Sequence, residues 1–279
     1  MKGQFTLEYI GAAVFFLLTV LGVAAMGAGE IPQFREDVKV ASLNLEARAV
    51  TEMMLSNPGY HSYGSGGTEW ERNVGTISHV TQFGIASDYL VVEKDKLENL
   101  SSTGVAQFNY TQFKEVTGVE NNYRFNFTWM PIVETPGSFI RGNPAGPVDE
   151  EPDTASYSKA ENRVHYGTLR IYGSIHKFLV TAHNGVYDTL YHSADWDFLY
   201  SQPHSPGDTV FLEGKKFTIA RIENKGGTSG TSVILSRHLK TFGGSIDRNA
   251  RVIKLNRYAT LSAPASAPQP LRIEVLAWD

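Results

Sequence analysis

An uncharged run near the N-terminus limits what this chain can form more than any other feature. Twenty residues, from Tyr9 to Ala28, carry no charged side chain. At about 1.5 Å of rise per residue, a helix over this run is roughly 30 Å long, the thickness of a bilayer's hydrocarbon core. The sequence therefore predicts a hydrophobic helix that spans a membrane over about residues 9–28.

Three interpretations of this run are open. A cleaved secretory signal has an apolar stretch of about 7–15 residues before a small-residue cleavage site, and the small residues at 24–28 fit such a site. An uncleaved signal anchor keeps Lys2 inside and places Glu30 and Glu36 outside. The third interpretation takes account of Glu8, because a carboxylate at the entrance of a membrane helix is costly and calls for a function.

The residues before the run, Lys2-Gly3-Gln4-Phe5-Thr6-Leu7-Glu8, form a short motif. They resemble the class III signal peptide of type IV pilin-like proteins, particularly the archaeal ones. The resemblance implies that a prepilin peptidase cuts between Gly3 and Gln4, so that residues 1–3 are the leader. It also implies that Glu8 pairs with the new ammonium of Gln4 in a neighbouring subunit. Such a pair removes the penalty of a buried, unpaired carboxylate and sets the register of assembly.

One long helix is predicted over about residues 5–56, within an N-terminal segment of residues 4–56. Beyond an interruption at Pro32, apolar residues recur at spacings of three and four in two adjacent rows. Asn57-Pro58-Gly59 is predicted to end the helix. One row consists of Phe34, Val38, Ala41 and Leu45, and the other of Leu43, Ala47, Val50 and Met54.

The rest of the chain has the alternation and the turn residues of a β-rich domain. Tyr123, Phe125, Phe127 and Trp129 alternate with polar residues, which predicts a strand with an aromatic inner face. Further strands are predicted at 169–180, 210–212, 217–222, 232–235, 252–255 and 271–277. The expected fold class is α+β, a long N-terminal hydrophobic helix followed by a β-rich, sandwich-like extracytoplasmic domain.

Two segments of this domain are predicted to be loops. Residues 135–163 are rich in proline, glycine and acid, and we expect them to link a first region, residues 57–134, to a β-rich domain, residues 164–279. Residues 262–270 are predicted to form a stiff, extended spacer that delivers the last strand to its partner. That strand either completes its own sheet or augments the sheet of a neighbouring molecule.

A second set of residues is similar to archaeal surface proteins that carry class III signals. The predicted helix end is followed by Trp70, Gly84-Ile85-Ala86 and Lys96-Leu97, and the last predicted strand finishes at Trp278. The similarity adds support for the family and assigns no role to these residues.

Candidate sites outside the N-terminal motif are few. Three Asn-x-Ser/Thr sequons make Asn99, Asn109 and Asn126 candidate N-glycosylation sites, and Asn126 is expected to point away from the aromatic face of its strand. Six polar residues in one stretch match no metal-ligand motif, and a polar surface loop explains them more simply: His183, Asp188, His192, Asp195, Asp197 and His204. We therefore expect no metal, no cofactor and no catalytic residues. The net charge of −4 argues against nucleic acid as a partner.

These features predict a structural or adhesive subunit of an archaeal type IV pilus-like filament, with no catalysis. The domain is larger than that of a minimal major pilin, which favours a minor or tip subunit. The expected partners are the prepilin peptidase, other pilin-like subunits and the membrane. The expected location is the cell surface, either anchored in the cytoplasmic membrane or within the filament. Two alternatives are a membrane-anchored surface binding protein that does not polymerise and an anchored extracytoplasmic hydrolase.

Overall fold

The computed structural model describes residues 2–72, 79–101, 107–135, 164–171, 174–183, 186–193, 202–224, 231–262 and 269–279. It does not describe the side chains of residues 2–13, 23–35, 135, 164–166, 182–183, 186–188 and 224. The helices are α1 (Lys2–Ser56), α2 (Lys94–Glu98) and α3 (Tyr110–Thr117). The strands are β1 (Tyr60–His61), β2 (Val80–Gln82), β3 (Ala86–Asp88), β4 (Val91–Glu93), β5 (Leu100–Ser101), β6 (Phe108–Asn109), β7 (Asn122–Trp129), β8 (Ile132–Thr135), β9 (Val164–Ile171), β10 (Ser174–His183), β11 (Val186–Ser193), β12 (Thr209–Leu212), β13 (Lys215–Asn224), β14 (Thr231–Gly243), β15 (Ile253–Ser262) and β16 (Gln269–Trp278).

Most of the strands join one nine-stranded sheet. Eight of them follow the order β12-β13-β14-β7-β16-β15-β4-β3, and β8 pairs with β14 beside the end of β7. All neighbours in this sheet are antiparallel except β15 and β4. A separate sheet has the order β11-β10-β9, and β1-β2 and β5-β6 form two short pairs.

Strand β7 lies at the centre of the large sheet and shows the predicted alternation. Its aromatic residues are buried and its polar residues are more exposed, which confirms the sequence pattern. The buried rings continue into a cluster in which Phe113 of α3 lies edge-on to Phe125 and Phe242 at centroid distances of 5.7 and 5.6 Å. Each fully buried phenylalanine contributes about 1.5–3 kcal/mol of burial free energy. The inner face of the sheet is therefore the main hydrophobic core.

The last strand completes its own sheet. Strand β16 pairs with β15 on one side and with β7 on the other. Both of its edges are occupied, so the alternative in which it augments a neighbour's sheet is wrong. At the ends of the predicted spacer, Leu261 and Gln269 are paired residues of adjacent antiparallel strands. Most of the spacer, residues 263–268, lies outside the described residues.

The expected fold class is wrong in its helical part. Strand residues outnumber helical residues in the described chain, so the fold is mainly β. The described residues include no helix with a stretch long and apolar enough to cross a membrane. Beyond Glu36, charged side chains of α1 alternate with apolar side chains that enter the core. The described part of the helix is therefore amphipathic near the domain and not uniformly hydrophobic.

The predicted division into a first region and a β-rich domain does not separate two sheets. Strand β7, from residues 57–134, pairs with β14 and β16, both from residues 164–279. Residues 136–163, which include most of the predicted linker, lie outside the described residues. The sheet joins the two halves because both edges of β7 pair with strands from the second half.

Candidate assembly surface

The C-terminal end of α1 is closed by backbone donors from distant parts of the chain. A helix leaves its last four carbonyl groups without partners inside the helix. Ile85 N donates to Met54 O at 3.1 Å, and Leu90 N donates to Leu55 O at 2.9 Å. Leu90 has a φ of +57°, a strained conformation for a leucine, and this hydrogen bond helps to hold it there. The helix end is thereby fixed to the segment that carries β3 and β4.

A buried lysine lies at the same helix end. Lys96 is 2% exposed, and its Nζ donates to Pro58 O at 2.9 Å and forms an ion pair with Glu93 Oε2 at 3.1 Å. A cation near the C-terminus of a helix also interacts favourably with the helix dipole. Glu71 is buried nearby, and burial raises the pKa of its carboxyl while the charge of Lys96 lowers it. Lys96 is therefore the positive centre of a buried polar group that closes α1.

Two glycines and a tryptophan complete this joint. Trp70 Nε1 donates to Gly84 O at 2.9 Å. A Cβ on Gly84 would lie 2.0 Å from Asn57 O, and Gly59 has a φ of +74° with Trp70 against it. Only glycine allows such close approach. The second resemblance motif, from Pro58-Gly59 through Trp70 and Gly84-Ile85-Ala86 to Lys96, thus consists of the residues that attach α1 to the domain. Sequence reasoning noted the motif and missed this role.

The two apolar rows predicted on α1 have different environments. The row that contains Leu43, Ala47, Val50 and Met54 is buried against the domain. In the other row, Val38, Ala41 and Leu45 are exposed, Leu45 to 68%. The side chain of Phe34 lies outside the described side chains. The domain therefore covers only one of the two rows.

Nearer the N-terminus, α1 presents large apolar side chains that no described residue covers. The described side chains from Val14 to Leu21 are mostly apolar, and Phe15 is the most exposed of them at 75%. Exposed apolar surface of this extent marks an interaction site in a folded protein. The same helix thus contributes one part to the core of its own domain and another to a surface without a described partner.

Some of the exposed apolar residues of α1 share a seven-residue spacing, within a stretch that also exposes Phe15, Phe16 and Leu18. Leu17, Val38 and Leu45 lie at multiples of seven from one another, and Val20 and Ala41 lie three residues after Leu17 and Val38. This is the a and d spacing of helices that pack side by side. Because an α-helix has 3.6 residues per turn, helices that keep such a seam in contact wind around each other with a left-handed twist. The exposed seam is thus suited to partner helices that run alongside α1.

An open groove of about 1110 Å³ lies beside the buried row of α1. Its walls include α1 residues from Glu36 to Leu43, the loop from Gly244 to Arg251, and Trp278. Arg251 Nη2 lies 3.1 Å from Glu36 Oε2, and both side chains are more than half exposed. Such an exposed ion pair contributes only about 0–1 kcal/mol. The groove adjoins the same stretch of helix that carries the exposed residues Val38 and Leu45.

The structure describes only the backbone of the residues in the processing motif, and this backbone is helical. Gly3, Gln4 and Glu8 lie within the helix bounds, and their side chains lie outside the described side chains. The cut between Gly3 and Gln4 and the pairing of Glu8 therefore stay predictions from the resemblance.

Histidine side chains meet between the three-stranded sheet and the β12–β13 hairpin. His176 Nδ1 lies 3.1 Å from His192 Nε2, and His176 Nε2 lies 3.4 Å from Glu213 Oε1. Burial lowers the pKa of His192 to about 4, and the nearby charges of His176 and His204 act in the same direction. A neutral, hydrogen-bonded imidazole pair is therefore favoured here at neutral pH.

The structure brings together two of the six residues weighed as metal ligands. His192 and His204 interact electrostatically, whereas the side chains of His183, Asp188, Asp195 and Asp197 lie outside the described side chains. Within the described residues, no group of three or more ligand side chains has a geometry that could hold a metal ion. No sequence pattern pointed to His176, because it lies on a strand before the polar stretch.

The three sequons occupy different settings. Asn99 follows α2 as its C-terminal cap residue, and Asn109 is the N-terminal cap residue of α3. Asn126 lies on the central strand β7, on the face opposite the aromatic core, as its alternation predicts. Its amide is held between Glu274 and Thr241 on the neighbouring strands.

Comparison of the chain with protein-family models, with curated proteins and with solved structures found no match.

Proposed function

We propose that this chain is a structural subunit of a type IV pilin-like surface filament. The observation that carries the proposal is the division of α1 into a buried row, which belongs to the core of the domain, and an exposed apolar seam. The seam includes Leu17, Val38 and Leu45, with Leu45 more than two-thirds exposed. Leaving such side chains in water forgoes roughly 1.5–3 kcal/mol each, and helices of neighbouring subunits would recover that free energy.

The N-terminal motif supports the same function from the sequence side. A prepilin peptidase cut between Gly3 and Gln4 leaves α1 attached to the domain and creates an ammonium at its start. Glu8 then has a cationic partner in a neighbouring subunit, which offsets the cost of burying its carboxylate among packed helices. The joint at the other end of α1, closed by Lys96 and by Trp70, fixes the domain to the helix that assembles.

The proposed partners are the prepilin peptidase and other pilin-like subunits, and the proposed location is the cell surface. The size of the domain favours a minor or tip subunit that presents it for attachment. No converging set of side chains in the described groove favours the hydrolase alternative. The subunit is therefore proposed to act through assembly and adhesion, without catalysis.

The first test is the mature N-terminus, determined by mass spectrometry of the protein from its native cells. A chain that begins at Gln4 supports prepilin processing. A chain that begins after Ala28 refutes the proposal, because α1 would then have lost its exposed N-terminal part. An uncut chain that begins at Met1 also refutes it and leaves a surface binding protein that does not polymerise.

The second test separates assembly from folding. Leu45→Lys places a charge in the seam, and we expect it to abolish filaments while the purified subunit unfolds like the unsubstituted chain. Tyr258→Lys is the matched control, because Tyr258 is 62% exposed and alternates along β15 with the residues that face the core. Filaments that form equally well with both variants would show that the seam takes no part in assembly.

A further inference from the structure

The three sequons differ in whether the side-chain amide nitrogen of the asparagine donates a hydrogen bond in the folded chain. N-glycosylation forms a bond to the side-chain Nδ2, so this atom must be free to meet a glycosyl donor and the sugar must have room beside it. The sequence treats the three sites alike, since each has the Asn-x-Ser/Thr pattern. The hydrogen bonds of the folded chain distinguish them.

Two of the sequons have Nδ2 already engaged. Asn99 Nδ2 donates to Asp95 O at 3.0 Å, so its amide turns back onto the end of α2. Asn126 Nδ2 donates to Glu274 Oε1 at 3.1 Å, while its Oδ1 accepts from Thr241 Oγ1 at 2.9 Å. The Asn126 amide therefore lies along the sheet between two strands, and a sugar on its nitrogen would displace Glu274. Facing away from the core does not by itself make Asn126 accessible.

In Asn109, only the amide oxygen Oδ1 of the side chain takes part in a hydrogen bond within the described chain. Its Oδ1 accepts from Gln112 N at 3.0 Å, and its backbone N donates to Gln112 Oε1 at 3.0 Å, which together form a capping box. Within the described part of the chain, no hydrogen bond engages its Nδ2. Because the cap directs the carbonyl oxygen toward the first turn of α3, the amide nitrogen is directed away from that turn. Thr111, which supplies the hydroxyl of this sequon, is exposed.

We propose that Asn109 is the N-glycosylation site of this chain. The co-reactant is an oligosaccharide carried on a lipid phosphate or diphosphate. Nδ2 of Asn109 attacks the anomeric carbon, the new carbon–nitrogen bond forms as the carbon–oxygen bond to the phosphate breaks, and the lipid phosphate leaves. One amide proton passes to a base of the transferase. The cap on α3 survives, since it uses Oδ1 and not Nδ2.

This inference rests on the proposed surface location of the domain, because the glycosyl donor must meet it there. The experiment is mass spectrometry of the full chain from native cells. Trypsin cleaves after Lys96 and Lys114, so Asn99 and Asn109 share one peptide, and electron-transfer fragmentation locates the sugar within it. Asn126 falls in a separate peptide that ends at Arg141.

Two variants remove the site in different ways. Asn109→Asp keeps an N-cap residue and removes the acceptor nitrogen, while Thr111→Val keeps Asn109 and removes the sequon hydroxyl. We expect both to lose the whole glycan mass and Thr111→Ser to retain it. Asn126→Asp is the matched control and should keep the glycan.

The outcomes separate the two proposals. A glycan on Asn99 or Asn126 with Asn109 bare overturns the assignment. A bare Asn109 on a chain that begins at Gln4 overturns the assignment and leaves the filament proposal standing. A bare Asn109 on a chain that begins at Met1 overturns both.

Discussion

Replacing Lys96 with methionine removes the buried ammonium at the end of α1 and keeps most of the side-chain volume. Pro58 O then loses a charge-assisted hydrogen bond of 2.9 Å, and Glu93 loses its ion-pair partner at 3.1 Å. A hydrogen bond to a charged group contributes about 1.5–3 kcal/mol, and breaking a buried pair by removing one partner costs about 3–5 kcal/mol. Because Glu93 is partly exposed and regains water, we expect a loss of about 3 kcal/mol in the free energy of unfolding.

The assay is urea unfolding of the purified full chain, followed by tryptophan fluorescence. Lys94→Met is the matched control, since Lys94 lies on the same short helix and pairs with Glu98, whose side chain is 62% exposed. That variant should lose less than about 1 kcal/mol. Equal effects of the two substitutions would refute the reasoning.

A double substitution tests the role of Glu71 in the same group. Glu71 is 4% exposed, and without Lys96 its buried carboxylate loses a compensating charge. Glu71→Gln should therefore restore part of the stability that Lys96→Met removes, and a double-mutant cycle measures the coupling. Additive losses would show that Lys96 and Glu71 act independently.

Three further predictions concern the histidine pair, the glycine contact and the helix rows. Since burial lowers the pKa of His192 to about 4, His192 binds a proton more readily in the unfolded chain than in the folded one. The stability from this group is full above the ordinary pKa of 6.5 and falls as the pH drops toward 4, by about 2 kcal/mol at pH 5. Thermal unfolding of His192→Phe should lack that part of the pH dependence, and an unchanged profile would contradict the assignment. Gly84→Ala should cost about 2–4 kcal/mol in urea unfolding, because its Cβ would meet Asn57 O at 2.0 Å, and a loss below 1 kcal/mol would contradict the contact. Leu43→Ala, at a position 7% exposed, should cost about 2–3 kcal/mol, whereas Leu45→Ala should cost less than 0.5 kcal/mol. Equal costs for these two would contradict the division of the rows.

The strands were predictable where alternation and turn residues agree. The alternation of Tyr123, Phe125, Phe127 and Trp129 predicts β7 because one face of a half-buried strand must be apolar. Glycine in Glu213-Gly214 favours a turn, and both residues have positive φ in the two-residue loop between β12 and β13. Such elements can be predicted from the local sequence, since the residues that determine them are neighbours in the chain.

Strand lengths were less predictable where one face is polar. The sequence predicted a strand at 232–235, whereas β14 runs from Thr231 to Gly243. Its second half contains Arg237, His238 and Lys240, which carry no apolar signal and are ordered by pairing with β7. The prediction of one strand over 169–180 was wrong for a related reason: two strands, β9 and β10, pair with each other there. Pairing partners, and not the local pattern, set these boundaries.

The sequence by itself determined the N-terminal motif, the aromatic face of β7 and the turn residues, because each depends on residues close together in the chain. The tertiary structure decided which row of α1 is buried and which groups close the end of the helix. It also decided which sequon asparagine has an amide nitrogen that is not engaged in a hydrogen bond within the described chain. Those outcomes depend on Ile85, Leu90, Lys96 and Glu274, which meet their partners from more than twenty residues away. The sequence of α1 shows that two rows of the helix are apolar, but only the packing of the domain determines which row is buried.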